Sequence, residues 1–593
     1  MEPRKYYQDI IDGSNCALSR LRKESFFVAM SRLAVFVATV AACFVAEASA
    51  LVAVVAVCGL VLFLWLAKLS GRIDRRKSVE EMKIERSRLN IDRLDLKFDN
   101  LPEGSAYIDP AHDYAFDIDL FGKKSLFSLL DSTSTVVGSR KLADWLLHPE
   151  KVSSEVEGRQ AAVKELSENN GFRLKMASIG KIADDETSGD KTFDAAKIPD
   201  FSVNAVWRAA YRTVPFVYAA LFALMALDLL PGIFIFYFFL LVLAASGLQA
   251  KRVGKLHGWL AKSVRRMAGC SELLRAIENE RFSSEILLRL QSNVRQGGSC
   301  ASRQTSRLMR IINNLDQRYN VFGYAIMNGF FLWDMRQIDS ASRWMALNAG
   351  KVAGWDDAIA GFDAFCALAV FRFNNPSYVF PTLDHTGNTV MEAVDAGHPL
   401  IPAGKCVCNS VERLPLHSFF VVTGANMAGK STYLRTVAVN YLLALVGAPV
   451  FAKRMVFSPA TLFTGLRTSD SLADGASYFF AELSRLRQLV KRAEGGEKML
   501  VILDEILRGT NSVDKQKGSL GLVRKLVELP VAGIIATHDL ALGSLADAFP
   551  GRIKNFRFEA ELSGGSLSFS YRIMSGIAQN ANAYYLMRTM GII

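Results

Sequence analysis

The chain has 593 residues, half of them hydrophobic, and carries a formal net charge of +12 at pH 7. This length exceeds what one hydrophobic core organises, so we expect several domains. The basic excess suits a nucleic acid or an anionic membrane surface, and equally suits basic loops beside membrane helices. The eight cysteines are scattered, and the C-x-C of Cys406 and Cys408 has no second pair at zinc spacing. We therefore expect reduced thiols, and neither a disulfide scaffold nor a zinc site.

Two apolar runs near the N-terminus predict a first transmembrane hairpin. Residues Phe26 to Phe44 and Ala48 to Ala67 each provide about 20 residues, enough for a helix to cross a hydrocarbon core of ~30 Å. Glu47 and Ser49 interrupt the apolar sequence near the turn. A cleaved signal peptide is disfavoured, because the apolar region is too long and a second span follows the first at once.

A second apolar pair predicts another hairpin. Val214 to Leu230 leads into the turn residues Pro231 and Gly232, and Ile233 to Leu248 returns. At about 17 residues each, these runs are at the lower limit for spanning a bilayer. The alternative is a helical hairpin buried in a soluble core. We favour the membrane, because the return run reads FIFYFFLLVLAA.

Lysine and arginine flank both hairpins and are missing from both tight turns. The positive-inside bias then places the turns outside and the rest of the chain in the cytoplasm. We therefore predict a multi-pass membrane protein of the bacterial inner membrane, with its soluble parts on the cytoplasmic side. The flanking basic residues are Arg20, Arg22, Lys23, Lys68, Arg72, Arg75, Arg76, Lys77, Arg208, Arg212, Lys251, Arg252 and Lys255.

The segments between and after the hairpins differ in pattern. Residues 72–100 mix basic, acidic and apolar residues, as a solvated amphipathic helix does. Residues 183–200 are polar and predict a loop. Residues 251–375 repeat apolar residues at helical spacing and contain little proline.

The pattern Gly424-x-x-x-x-Gly429-Lys430-Ser431 follows an apolar strand-like run, Phe419 to Val422. This is a phosphate loop in its required context, where glycines let backbone N–H groups surround a phosphate at a helix N-terminus. Lys430 would reach the β- and γ-phosphates of ATP, and Ser431 would bind Mg²⁺. We expect nucleotide contacts along the whole loop, from Gly424, Ala425, Asn426, Met427, Ala428, Gly429, Lys430, Ser431 and Thr432.

Two later strands end in residues suited to catalysis. Lys498 to Glu505 reads as a buried parallel strand that ends in two carboxylates. We expect Asp504 to hold the Mg²⁺ shell and Glu505 to orient or deprotonate the attacking water. A short strand from Gly533 ends in Thr537-His538, and His538 at that position can sense the γ-phosphate or polarise the water.

Between these elements lies Ser469 to Glu482, SDSLADGASYFFAE. A Gly-x-Ser at a helix start presents N–H groups and a hydroxyl to an anion. If this segment does not reach its own phosphate loop, it can cap the nucleotide of a partner subunit. ATP would then be held between two copies, which predicts a homodimer.

These four elements in this order resemble the MutS family of DNA mismatch-repair ATPases, within the ABC-type ATPase class. TGANMAGKSTYLR is similar to the family's phosphate loop, with Ala425 and Ala428 where Pro and Gly are usual. SDSLADGASYFFAE resembles its signature helix, which implies that Ser477 is the contact in trans. LDEILRGTNSVD resembles the family's LDE-x-GRGTST-x-D stretch, with Leu507 in place of a Gly, and ATHD resembles its ATH.

The resemblance extends upstream and covers about residues 110–593. SLFSLLDSTSTVVGSRKLADWLLHP, at 125–149, is similar to the start of the family's helical lever domain, and RQAAVKEL and FDAFCALA resemble further lever helices. It implies a P-loop α/β ATPase domain with a largely parallel sheet and an α-helical lever, to which the apolar runs add two transmembrane hairpins. The expected boundaries are a cytoplasmic segment at 1–25, hairpin 1 at 26–67, a linker helix at 68–109, lever regions at 110–213 and 249–382 around hairpin 2 at 214–248, and the ATPase domain at 383–593.

The departures limit which function the resemblance implies. Mismatch sensors of the family insert a Phe, with a Glu two residues on, from an N-terminal domain, whereas a hairpin is predicted there in this chain. Phe480-x-Glu482 has that spacing but lies within the signature helix. We see neither a DNA clamp nor a nuclease-like tail in the sequence. ATP hydrolysis is therefore implied, and mismatch reading is not.

Three functions follow from these patterns. The first is a membrane-anchored MutS-like ATPase that hydrolyses ATP with Mg²⁺ at a dimer-shared site and binds double-stranded DNA. The alternative is a mechanical ATPase that acts on its membrane helices or on a protein partner, without DNA. The third, a chain that binds ATP without hydrolysing it, is disfavoured because Lys430, Ser431, Asp504, Glu505 and His538 are all present.

Overall fold

The computed structural model consists of a helical part, up to Asn374, and an α/β part that follows. A 42-residue helix connects the two parts along the chain. The structure describes the whole chain apart from residues 1, 46–48, 186–198, 264–268, 296–299, 426–427, 467–477, 508–510, 564–565 and 579–593.

Two very long helices form the N-terminal hairpin, α1 (Pro3–Val45) and α2 (Ser49–Leu94). Each carries one predicted apolar run near the turn and a polar extension away from it. The amphipathic sequence predicted from residue 72 therefore continues the second apolar run as one helix. The two helices pack closely, since a Cβ atom at Gly59 would lie 2.2 Å from the Thr39 hydroxyl.

The helical part continues with helices of very different length. The long helix α13 (Trp333–Asn374) lies at its centre and buries Phe362 and Phe365, and the ring centroid of Phe365 lies 4.6 Å from that of Trp145. The described helices are α3 (Leu126–Leu130), α4 (Val136–Leu147), α5 (Ser153–Glu168), α6 (Asn170–Asp185), α7 (Ala205–Ala226), α8 (Ile233–Ser263), α9 (Ser271–Asn279), α10 (Glu285–Val294), α11 (Ala301–Asp316), α12 (Val321–Phe331) and α13 (Trp333–Asn374).

A buried carboxylate ties α13 to the N-terminus of α4. Asp363 accepts hydrogen bonds from the N–H and hydroxyl groups of both Ser134 and Thr135, at 2.7 to 3.0 Å. Thr135 is also the N-cap of α4, and its hydroxyl accepts from the Gly138 N–H at 3.0 Å. Burying a carboxylate is tolerated where its oxygens are this well hydrogen-bonded.

Four helices are long and apolar enough to cross a membrane, judged by length and composition, and they form the two predicted hairpins: α1, α2, α7 and α8. Between 6% and 17% of the most apolar window in each helix is buried. The described parts of the chain therefore leave most of the second pair uncovered, which favours the membrane over the alternative of a buried core hairpin. The turn of this pair lies between Ala226 and Ile233.

The α/β part contains two sheets. A six-stranded sheet has the order β10-β9-β4-β8-β7-β6, all parallel except β10, and a four-stranded mixed sheet has the order β1-β5-β2-β3. The strands are β1 (Thr382–Leu383), β2 (Met391–Ala396), β3 (Asn409–Leu414), β4 (Ser418–Gly424), β5 (Arg454–Phe457), β6 (Thr461–Gly465), β7 (Met499–Asp504), β8 (Val531–Thr537), β9 (Ile553–Ser563) and β10 (Ser566–Ser575). The helices are α14 (Lys430–Leu445), α15 (Tyr478–Glu494), α16 (Ser512–Val527) and α17 (Leu545–Ala548).

The larger sheet agrees with the predicted parallel sheet, because its inner strands are near-continuous apolar runs buried on both faces. The mixed four-stranded sheet was not predicted. The polar segment predicted as a loop at 183–200 is helical as far as Asp185, where α6 ends, and residues 186–198 lie outside the described residues.

Charged contacts join the helical part to α15. Asp113 accepts from Arg492 at 2.6 Å, and Asp117 accepts from the Thr464 hydroxyl at 2.6 Å. Arg485 reaches the same Asp117 carboxylate at 3.3 Å. These residues fix the segment before α3 against β6 and α15 of the α/β part.

Candidate functional site

The phosphate-loop sequence lies where β4 meets α14. Gly424 ends the strand with φ +142°, and a Cβ atom there would lie 2.5 Å from the carbonyl oxygen of Phe558. Gly429 precedes α14 with φ +105°. Both positions favour glycine, because a residue without a Cβ atom adopts these positive φ angles without steric strain. The N–H groups of the first turn of α14 point out of the helix N-terminus, which favours an anion.

Lys430 begins α14 and is almost completely buried, with 1% of its surface exposed. Its ammonium group donates to the carbonyl oxygen of Gly424 at the other end of the loop. The Lys430 side chain therefore extends back across the phosphate loop to its first residue. A buried cation requires compensation by anionic or carbonyl oxygens, and a phosphate bound in the loop would provide it.

Ser431 and Asp504 meet although they are 73 positions apart. The Ser431 hydroxyl donates to the Asp504 carboxylate at 2.6 Å, and that carboxylate lies at the end of β7 with 8% exposure. Strands β4 and β7 are separated only by β8, so their carboxyl ends lie at one edge of the sheet. A hydroxyl and a carboxylate oxygen are ligands that Mg²⁺ accepts.

Glu505 and His538 lie at the same edge. Glu505 adopts φ +50°, which is rare for glutamate, and its N–H donates to the Ala536 carbonyl at 2.9 Å. One carboxylate oxygen lies 3.5 Å from Nδ1 of His538. The Glu505 side chain is 14% exposed and that of His538 is 57% exposed. A mostly buried carboxylate and a solvent-exposed imidazole are thus adjacent, and such a pair can take part in general acid–base catalysis.

The remaining predicted nucleotide contacts divide into two groups. Ala425 and Ala428 lie within the loop, where the Ala428 N–H donates to the Ala425 carbonyl at 3.2 Å, and Thr432 is exposed on the first turn of α14. Asn426, Met427 and Ser477 lie outside the described residues.

Two residues of this region were not predicted as parts of the site. Leu507 adopts φ +60°, and its N–H donates to a carboxylate oxygen of Glu482 on α15 at 2.7 Å. The contact links the segment after Glu505 to the last residue of the signature sequence, which lies on α15. The sequence signal for Leu507 was its replacement of a glycine, the residue that adopts positive φ without strain. The pairing with Glu482 has no local signal.

A cavity of about 310 Å³ adjoins the loop and was also not predicted. It lies between Gly429 and Thr436 of the loop and α14, the segment before β3, and Tyr571 of β10. Asn409 fixes this side, since its amide donates to the Tyr571 carbonyl and accepts from the Ile573 N–H, both at 2.9 Å. A cavity of this size can take the base and sugar of a nucleotide whose phosphates occupy the loop.

One titratable group in this cavity has a well-defined protonation state. Burial lowers the pKa of His398 to about 4, with a further contribution from the positive charge of Arg435. The imidazole is therefore neutral at pH 7. Its ring nitrogen accepts from the Leu400 N–H at 3.3 Å, so it shapes the cavity wall without adding charge beside the loop.

The fold and the site define an α/β protein in which a phosphate-loop sequence and two carboxylate-bearing strand ends meet at one sheet edge, joined to a long helical part. The family model described as MutS domain V matches residues 420–592, and MutS domain III matches residues 111–206. The first match covers the phosphate loop and the strand ends at Asp504 and His538, and the second covers helices α3 to α6. The chain belongs to the MutS family.

Individual relatives agree with this assignment. The DNA mismatch repair protein MutS of Desulfosudis oleivorans is 26% identical over 79% of this chain and 57% of its own length. That of Clostridium beijerinckii is 25% identical over 79% of this chain and 54% of its own length. That of Lactobacillus acidophilus is 30% identical over 40% of this chain and 28% of its own length. The chain thus spans about half the length of the first two relatives.

Proposed function

We propose that the chain is a membrane-anchored MutS-type ATPase that binds ATP with Mg²⁺ at the phosphate loop and hydrolyses it. The observation that carries the proposal is the convergence of Lys430, Ser431, Asp504, Glu505 and His538 at one edge of the six-stranded sheet. Three separate stretches of the chain contribute these side chains, and a structural role alone does not require them to meet.

The chemistry follows from these positions. The N–H groups of the loop and Lys430 bind the phosphates, and the developing negative charge is stabilised in a largely enclosed site. Ser431 and Asp504 would hold Mg²⁺, which neutralises charge on the β- and γ-phosphates when bound. Glu505 orients the attacking water and accepts its proton. His538, in contact with Glu505, holds that carboxylate in place and faces the solvent side.

We propose further that two copies share each nucleotide, with Ser477 capping the ATP of the partner. Helix α15 begins directly after the segment that contains Ser477, and Glu482 on α15 holds the N–H of Leu507, two residues beyond Glu505. Movement of the signature segment on contact with a partner would therefore be transmitted to the catalytic carboxylate.

The test of this function is ATP turnover by the full chain in detergent. Glu505→Gln should keep ATP affinity within a few-fold and lower kcat by about 10²–10³-fold, because the carboxylate acts mainly in the transition state. Ser477→Arg should lower turnover and prevent ATP-dependent dimers in light scattering. The matched control is Glu528→Gln, an exposed glutamate of the same domain paired with Arg552. Unchanged turnover in Glu505→Gln would refute hydrolysis at this site.

We propose that double-stranded DNA is the macromolecule that this ATPase binds and acts on. The relatives that match are named DNA mismatch repair proteins, and the chain carries a net charge of +12. Phosphate contacts by Lys and Arg would make the affinity fall steeply with salt. A fluorescence-anisotropy titration of the purified chain with duplex DNA, at low salt and with or without ATP, tests this. No binding under any of these conditions would remove DNA from the proposal.

A mechanical ATPase is the second candidate, and contacts of α13 favour it. Near its start, Asp339 accepts from Arg208 and Tyr211 of α7, at 3.1 and 2.9 Å. At its end, Asn374 accepts from the Tyr7 hydroxyl of α1 at 2.8 Å, and β1 follows. One helix therefore contacts both hairpins and leads into the α/β part. Rescue of a deletion strain by a chain lacking both hairpins would rule this function out.

A further inference from the structure

Helix α12 carries an apolar surface that the described parts of the chain leave exposed. Its sequence is VFGYAIMNGFF, and Val321, Phe322 and Ile326 are 78%, 81% and 49% exposed. The polar side chain of Asn328 points inward, where its amide donates to the Tyr324 carbonyl and accepts from the Asp334 N–H. With 11 residues the helix is ~16 Å long, too short to span a bilayer.

The contacts of α12 place it alongside α8 of the second hairpin. Before the helix, Arg318 donates to the Ala250 carbonyl of α8 at 3.0 Å, next to the basic residues that follow the apolar run. Near its end, Phe330 packs on Phe239 with ring centroids 5.2 Å apart, and Gly329 lies against the same ring. The 11 positions from Arg318 to Gly329 match the 11 positions from Ala250 back to Phe239. The segment therefore runs along α8 from its polar end into its apolar part.

The chain then turns and runs back. The Gly329 carbonyl accepts from the Tyr218 hydroxyl of α7 at 2.8 Å, and Leu332 adopts φ +47°, which ends α12 and starts α13. Seven residues further along α13, Asp339 meets Tyr211, which precedes Tyr218 by seven residues on α7. Helices α12 and the start of α13 thus form a short hairpin whose apex lies at the depth of Tyr218 and Phe239.

The helix before this hairpin presents positive charge. Arg303, Arg307 and Arg310 are all exposed on α11, and their spacing of four and three residues places them on one helix face. A row of arginines on the helix that precedes an apolar helix suits the anionic headgroups at the cytoplasmic surface of a membrane. The charge and the apolar surface therefore point to the same partner, a lipid bilayer.

We propose that Val321–Phe331 is a re-entrant helix that inserts into the cytoplasmic leaflet beside the second hairpin, with lipid acyl chains covering Val321, Phe322 and Ile326. The inference rests on the proposed membrane anchoring and deepens it. The second hairpin becomes a three-helix membrane unit, and the long helix α13 starts inside the leaflet. Movement of α13 in an ATPase cycle would then act on the leaflet directly.

The test uses the full chain reconstituted in vesicles of phosphatidylcholine and phosphatidylglycerol. A nitroxide label is attached to a cysteine at position 322, and its accessibility to molecular oxygen and to a water-soluble nickel chelate is measured by power-saturation EPR. Phe236→Cys on α8 is the lipid reference, and Leu347→Cys, 70% exposed on α13, is the aqueous reference. The background replaces with serine the cysteines that are not buried: Cys16, Cys43, Cys58, Cys300, Cys406 and Cys408.

The proposal expects the label at 322 to behave as that at 236, with high access to oxygen and low access to nickel, and a label at 326 to do the same. If the label at 236 lies in lipid while the label at 322 is as accessible to the nickel chelate as the label at 347, the proposed re-entrant helix is wrong and the proposed membrane anchoring stands. If 236 is also aqueous, the anchoring itself fails. If 322 is shielded from both reagents, protein covers it, for example a second copy, and the lipid assignment is overturned.

Discussion

The two parts of the chain place their apolar side chains in opposite ways. In the α/β part the inner strands of the larger sheet are buried on both faces, and few large apolar side chains of the described residues remain exposed, such as Phe480 and Val513. In the helical part the exposed apolar side chains follow one another along the hairpins, as at Phe216, Phe234 and Phe236. The hairpins of the helical part thus present large apolar surface that the described parts of the chain do not cover, as expected of the proposed membrane anchoring.

This difference assigns the nucleotide chemistry to the α/β part and the proposed membrane anchoring to the helical part. The variant with the largest expected effect tests that division. Lys430→Met keeps the buried methylene chain and removes the charge at the loop. We expect turnover to fall by about 10²–10³-fold, because a buried cation that faces the phosphates acts on the transition state. The matched control is Lys498→Met, an exposed lysine just before β7. Comparable losses in both variants would mean that the effect is structural.

Asp363 tests whether the helical part has a core of its own. Asp363→Ala leaves the donors of Ser134 and Thr135 buried without their acceptor, and we expect a loss of roughly 3 kcal/mol in the free energy of unfolding. Asp357→Ala, on the same helix, removes an exposed ion pair with Lys141 at 2.9 Å and should cost less than about 1 kcal/mol. Urea unfolding in detergent, followed by tryptophan fluorescence, measures both. A similar loss in the two variants would show that the Asp363 network is not a stabilising contact.

The sequence predicted the parts of the molecule whose signal is local. The phosphate loop, the strand ends at Asp504 and His538 and the four apolar spans each occupy one short stretch, so their residue types and spacing were enough. Helix α12 lies in the segment predicted as helical, but its apolar surface was not singled out because 11 residues are too few for a search based on spanning length. Glu482 and Asn409 were missed because their partners lie 25 and 162 positions away.

The small mixed sheet shows the same limit for the fold. Strand β1 has two residues and pairs in parallel with β5, about 70 positions later, while β2 pairs antiparallel with both β3 and β5. Short strands with partly exposed, charged residues such as Glu392 and Glu412 carry no alternating pattern that would predict pairing. Contacts between segments distant in sequence accompany this pairing, such as those of α14 with β2 and those of β3 with β4.

The junction between the two parts should weaken in acid. Hydrogen bonds from Arg492, with further ones from Thr461 and Lys151, lower the pKa of Glu497 from 4.5 to about 2. A carboxylate with a lowered pKa in the folded state stabilises above its unfolded pKa, and this is lost as the pH falls from 4.5 toward 2. We expect a contribution of about 1 to 2 kcal/mol, after allowance for solvent screening.

Glu497→Gln should remove this contribution at neutral pH and leave a shallower decline in stability between pH 4.5 and 2. Thermal unfolding of the variant and the parent across this pH range measures the difference. The control is Glu494→Gln, which removes an exposed pair with Lys525 at 2.7 Å within the α/β part. An acid decline as steep in Glu497→Gln as in the parent would show that another group controls it.

The smallest expected effect concerns the contact of the first hairpin with α13. Tyr7→Phe removes the buried hydrogen bond to Asn374 and keeps the ring against Phe373, 5.9 Å between centroids, so we expect a loss of about 1 kcal/mol. The Tyr6 ring packs on the same Phe373, and none of the described residues accepts a hydrogen bond from its hydroxyl, so Tyr6→Phe is the control. Hydrogen exchange of residues 370–374 localises the effect, because local opening of the helix end becomes easier when its anchor weakens. If exchange there is unchanged in Tyr7→Phe, the first hairpin tethers the chain without being coupled to α13, and any transmitted movement has to pass through the second hairpin.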